Sequence, residues 1–143
     1  LRLADADVVD MAWVDNGPGW VGVLLDDADS VLAVEPDPAA FAGHGHHDVG
    51  VVGAYPDGAE CAIEVRAFFT GAHDDLTEDP VTGSLNASVA QWLTETGRIT
   101  TPYVSSQGTR LGRNGRVHVD RGDDGRIWVG GSTVTVISGR IDV

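Results

Sequence analysis

The stretch Glu78-Asp79-Pro80-Val81-Thr82-Gly83-Ser84 puts two carboxylates and two hydroxyls around one glycine. Such a set can orient a substrate amine or hydroxyl and relay a proton. Asp79-Pro80 is a turn dipeptide, because proline fixes its own φ and drives the preceding residue out of the helical region. Gly83 permits a sharp change of direction and close approach of a ligand. Thr82 and Ser84 are good helix N-caps. The same residues have a plainly structural use, in which Asp79 shapes the turn and Ser84 caps the helix behind it. Spacing alone leaves both readings open.

The run from Gly83 to about Thr96 predicts a helix. Leu85, Ala87, Val89, Ala90, Trp92 and Leu93 surround most of its axis, the pattern of a buried helix. A buried helix that opens at this turn presents free N–H groups and the positive end of its dipole, which favour an anion such as a carboxylate. Asp79 and Glu78 oppose an anion there, so the balance depends on where they point.

Other residues offer weaker chemistry. Gly17 and Gly19, in Asn16-Gly17-Pro18-Gly19-Trp20, allow close backbone approach, and Trp20 fits either an aromatic wall or a tryptophan packed behind a hairpin turn. His44, His46 and His47 cluster, but nothing else has metal-ligand spacing, and a solvated loop is the expectation, with no metal. Arg110, Arg113 and Arg116 form the one basic patch, read as solvated except for Arg113, read as an ion pair. Cys61 is the single cysteine, so a pair of thiols acting as base and acid is excluded within the chain.

Around these residues the patterning predicts many strands: Val8 to Val14, Trp20 to Leu25, Ser30 to Val34, Val49 to Tyr55, Cys61 to Thr70, Thr101 to Ser106, Arg116 to Asp120, Arg126 to Gly130 and Thr133 to Val143. Asp37 to Ala42 reads as a short helix with Asp37 as N-cap and Pro38 first. Gly71 to Glu78 reads as an acidic loop, and Gly97 as the stop of the long helix. Many strands with one wholly apolar helix imply a sheet curled over that helix. The expected fold is α+β: a mixed, mostly antiparallel sheet around one central buried helix, with residues 1–143 as a single domain.

The net charge is −13, and all nine basic residues are arginine. Phosphate backbones need a basic face, so nucleic acid is not an expected partner. No apolar run is long enough to span a membrane, and no signal peptide is visible, which makes the cytoplasm the expectation. The chain opens on Leu1, as a processed chain or a fragment would.

Arg66-x-Phe68, Glu78-Asp79-Pro80-Val81-Thr82-Gly83-Ser84-x-Asn86-Ala87, Val14-Asp15-Asn16-Gly17-Pro18-Gly19-Trp20, Gln107-Gly108-x-x-Leu111-Gly112-Arg113 and Gly130-Gly131-Ser132-x-Val134 together resemble the signature of the PhzF-like isomerases of phenazine biosynthesis, relatives of diaminopimelate epimerase. The resemblance covers nearly the whole chain, but only the C-terminal half of such two-domain proteins. It implies a cofactor-independent isomerase that moves a proton within a small carboxylated metabolite. It further implies Asp79 and Ser84 as catalytic residues, and Thr82, Gly83, Gly17, Gly19 and Trp20 as substrate-binding ones. The family's acid/base glutamate lies in the other domain. The expected partner is therefore that N-terminal domain or a second copy. The alternative is a non-catalytic metabolite-binding module made by self-association of half-length chains.

Overall fold

The computed structural model describes residues 1–41, 48–71 and 75–142. Among the described residues eight strands run in chain order: β1 (Val8–Asp15), β2 (Gly19–Leu25), β3 (Asp48–Ala54), β4 (Ile63–Thr70), β5 (Leu76–Asp79), β6 (Tyr103–Gln107), β7 (Gly115–Arg121) and β8 (Ile127–Gly130). Three α-helices join them: α1 (Ala28–Ala33), α2 (Pro38–Phe41) and α3 (Gly83–Glu95). The strands form one sheet in the order β1-β2-β3-β4-β6-β7-β8, with β5 also on β4. β2–β3 and β4–β6 are parallel and the other pairings antiparallel, so the sheet is mixed and mostly antiparallel, as expected.

The sheet curls over α3 because that helix has no polar stripe to give to solvent. Leu85 to Ala90, Trp92 and Leu93 are all buried. They share a core with Val14, Trp20, Val52, Ile63, Val65, Ala67, Tyr103, Val117 and Val119, drawn from six strands. Only the helix ends and Gln91 reach the surface. Gly97 stops the helix in a left-handed conformation at φ +70°, and the amides of Arg98 and Ile99 fold back onto the Leu93 carbonyl, the arrangement that satisfies a helix C-terminus. The outer face has its own smaller core, in which Val23, Leu25, Val51 and Phe68 pack under Val31 and Val34. Among the described residues no helix is long and apolar enough to cross a membrane.

Three elements differ from the sequence reading. Ser30 to Val34 is not a strand but the end of α1 and its C-cap: Asp27 accepts the Ser30 amide at 2.7 Å and starts a helix. The helix end is held from outside, by Arg66 Nη1 donating to the carbonyls of Val31 and Val34 at 3.2 and 2.6 Å. A short apolar run gave way to caps at both ends. Second, the acidic segment before the long helix ends in a strand, β5, paired with Ala67–Thr70 of β4. Third, 131–142 forms no strand. Val134, Val136, Ile137 and Ile141 there are 85–88% exposed, because no sheet edge among the described residues takes up their backbone groups. The short helix at Asp37 is as expected, with Asp37 Oδ1 accepting the Ala39 amide at 3.0 Å.

Candidate active site

The site is built at a fork in the sheet. One edge of β4 carries two partners in succession: Val65 pairs with Gln107 of β6, and Ala67 pairs with Asp79 of β5. The end of β6 and the end of β5 are therefore brought side by side, and α3 starts from the gap between them. Gly108 closes the fork. It holds φ +84°, and a Cβ there would sit 2.6 Å from the Pro80 carbonyl oxygen. Only glycine tolerates both the left-handed backbone and that approach.

A buried polar network lines the fork. Gln107 is fully buried. Its Nε2 donates to the Asp79 carbonyl at 2.9 Å and to the Thr82 hydroxyl at 3.0 Å. Its Oε1 accepts the Thr82 amide at 3.0 Å and Asn86 Nδ2 at 2.8 Å. Asn86 also donates to the Thr82 carbonyl at 2.9 Å and accepts from the Ser105 hydroxyl at 2.7 Å. The Thr82 hydroxyl donates to Asp79 Oδ2 at 2.7 Å. Sequence reasoning placed Asn86 and Gln107 in motifs without a role and did not single out Ser105. The signal was present: polar side chains in segments that must be buried need partners.

The first turn of α3 is open. Thr82 is its N-cap by position, but its side chain makes no capping hydrogen bond. The amides of Gly83, Ser84 and Leu85 precede the first intrahelical bond, from the Asn86 amide to the Thr82 carbonyl; Leu85 is fully buried, and the amides of Gly83 and Ser84 have no partner among the described residues. Gly83 is exposed and Ser84 half-buried. Gly83 has no positive φ; a Cβ there would meet nothing within 4 Å, so glycine leaves open space above the helix end. Glu78 does not oppose an anion here, because Arg66 binds it bidentately at 2.9 and 2.8 Å, with side chains 4% and 12% exposed. Asp79 is turned onto Thr82 rather than onto the free amides, and its Oδ1 has no partner among the described residues.

The other expected positions divide. Asp79, Thr82, Gly83 and Ser84 come together. Trp20 is 5% exposed and packed into the core against α3, so it is no wall of an open cleft. Gly17 holds φ +113° in a turn closed by its amide on Asp15 Oδ1 at 2.8 Å, and Gly19 leaves room for the Trp13 ring lying over it. Asn16 of that hairpin shares a hollow with Gln91, Thr94 and Glu95, in the second half of α3. Arg110 and Arg116 pair with Glu35 and Glu60, whereas Arg113 is exposed and makes no ion pair among the described residues. His44, His46 and His47 lie outside the described residues.

A cavity of about 730 Å³ lies at the opposite end of α3, lined by Leu93, Arg98, Ile99, Tyr55 and Cys61 among others. A 13-residue helix rises about 20 Å, so this hollow is remote from Gly83. Cys61 there is buried, and burial pushes its thiol pKa up, the reverse of what a nucleophile needs. Tyr55 is pushed up to about 12 by burial, then by its hydrogen bond to Glu64.

Comparison with known proteins agrees with this architecture. The sequence profile described as phenazine biosynthesis-like protein matches residues 2–139. A protein of Pasteurella multocida (strain Pm70) named an uncharacterized isomerase is 26% identical over 144 residues, covering 100% of this chain and 48% of that protein. The crystal structure of a Bacillus anthracis phenazine biosynthesis protein of the PhzF family superposes with TM-score 0.64 at 16% identity, covering 87% of this chain and 45% of that one. The PhzF-family structure from Enterococcus faecalis gives 0.61 at 18% identity, with the same coverage. The chain thus spans about half the length of the relatives it matches.

Proposed function

Because this chain belongs to the phenazine biosynthesis-like protein family, we propose that it forms one wall of the active site of an isomerase moving a proton within a small carboxylated metabolite. The observation that carries the reading is the open first turn of α3, whose free amides stand beside one carboxylate, Asp79, while the neighbouring Glu78 is neutralised by Arg66. A substrate carboxylate docks on the amides of Gly83 and Ser84. The dipole contributes about 0.5–2 kcal/mol, and each charge-assisted hydrogen bond about 1.5–3 kcal/mol. Asp79 and the Ser84 hydroxyl hold polar groups on the rest of the substrate. An intramolecular proton shift removes and returns one proton with no net oxidation, so an acid/base group suffices and no cofactor enters the reading. That group is a carboxylic acid from a second domain or a second copy, which meets this chain across the helix end.

Titration with sulfate and with 3-hydroxyanthranilate tests the site. Gly83→Val fills the open space, and binding is expected to weaken about tenfold or more, the loss of roughly one hydrogen bond. Binding unaffected by that change places the anion elsewhere. The chain by itself is expected to show no proton exchange into a dihydro-hydroxyanthranilate-like substrate. Exchange that is catalysed by pure chain and lost in Asp79→Ala would mean that the half-length protein is a complete enzyme.

A further inference from the structure

Two backbone groups dictate the direction of every hydrogen bond in the fork. The Thr82 amide can only donate and the Asp79 carbonyl can only accept. Gln107 touches both, so its amide has one permitted orientation: Oε1 toward the Thr82 amide, Nε2 toward the Asp79 carbonyl. The rest follows in sequence. Asn86 must offer Nδ2 to Gln107 Oε1, as its contact with the Thr82 carbonyl also requires. Its Oδ1 then faces Ser105, which donates. On the other side, Gln107 Nε2 donates to the Thr82 hydroxyl, and the hydroxyl's own hydrogen goes to Asp79 Oδ2. Reversing Gln107 would set donor against donor and acceptor against acceptor in a buried site.

We propose that Gln107 is a positioning residue of the site: it aims the Thr82 hydroxyl at Asp79 and thereby sets Asp79 as an acceptor for a hydrogen-bond donor, an amine or hydroxyl, on the substrate. Oδ1 of Asp79, with no partner among the described residues, is the atom that receives that group. Glu78, beside Asp79 in the chain, and Arg66, across the sheet, are bound to each other. The substrate assignment rests on the reading of the helix end as the active site; the orientation of the network does not.

The test reads the Asp79 carboxyl directly, by carbon NMR of aspartate-labelled protein at neutral pH, with Asp79→Asn identifying the signal. Thr82→Val removes the donor at constant shape, and the Asp79 carboxyl signal is expected to move; Thr82→Ser restores it. Gln107→Met removes Nε2 without adding a charge and is also expected to move the signal, but by less in a Thr82→Val background, because the two act through one hydroxyl. An unchanged signal in Thr82→Val overturns the proposal, as does full additivity in the double variant. Should Gln107→Met fail to fold, the Thr82→Val and Thr82→Ser pair decides alone. Anthranilate and benzoate share a carboxylate and differ by a donor amine. About tenfold tighter binding of anthranilate is expected, and equal affinity refutes the assignment of the substrate group. If neither binds, the helix-end reading fails, while the carboxyl signal still judges the network.

Discussion

Arg66 serves two structures with one guanidinium. It ends α1 by donating to two carbonyls, neutralises Glu78, and lies 4.9 Å from the Phe68 ring centre. Removing one partner of so buried a pair typically costs about 3–5 kcal/mol, mostly as the penalty on the charge left behind. α1 therefore depends on a residue of β4, and the turn at Asp79 inherits its electrostatics from the same side chain. The other end of α1 depends on Asp27. Its hydrogen bonds from Ser30 hold the Asp27 pKa below the ordinary carboxylate value. A lowered folded pKa contributes stability that is present above the unfolded value near 3.8 and lost as pH falls through the folded one. Asp27→Ala is thus expected to speed amide exchange in α1 at neutral pH, with the difference from the parent protein shrinking on acidification toward pH 3. A difference that persists undiminished in acid would show that the cap does not act through its charge.

At the scale of elements, the two glycines beside the Pro80 turn, Gly83 after it and Gly108 packed against it, respond oppositely to the same added methyl. Gly83 is helical and faces open space. Gly83→Ala is expected to leave stability unchanged or raise it by about 0.5–1 kcal/mol while weakening anion binding. Gly108→Ala forces a left-handed alanine against the Pro80 carbonyl and is expected to cost about 1–3 kcal/mol. Denaturant unfolding of both variants measures the contrast, and equal effects would refute it. The helix α3, its stop at Gly97 and the sheet curled around it were legible because an apolar circumference has one physical solution. The acid and hydroxyls of the Asp79 turn were legible from residue type. α1 was not, since its caps decide it and one of them, Arg66, lies more than thirty positions away. Nor was the part played by Gln107, whose partners 25 positions earlier become neighbours only through the shared edge of β4. Trp20 fitted both a wall and a core, and the inward side of β2 resolved it.

For the whole molecule, the outer side of edge strand β1 exposes Val9, Met11 and Trp13 at 51, 63 and 68%. The alternating segment at 133–136 lies unpaired as well. Exposed apolar stripes and unpaired strands favour association, in keeping with the proposed second domain or second copy. A net charge of −13 opposes self-association through repulsion, which salt screens. If the partner is a second copy, light scattering is expected to show pairing at high micromolar concentration that strengthens with added salt and is lost in Met11→Ser/Trp13→Ser. A monomer at every salt concentration would leave the separate domain as the occupant.

The four tryptophans fall into two classes, with Trp20 and Trp92 at 5 and 9% exposure and Trp13 and Trp128 at 68 and 61%. Each exposed ring sits at one edge of the sheet, and each hidden ring belongs to the core around α3. The indole emission of this protein is therefore a sum of a blue, quencher-resistant component from the core around α3 and a red, iodide-accessible one from the two edges. Occupation of an edge dims the second without touching the first, whereas loss of the core reddens the first. One unlabelled optical measurement thus separates assembly from unfolding.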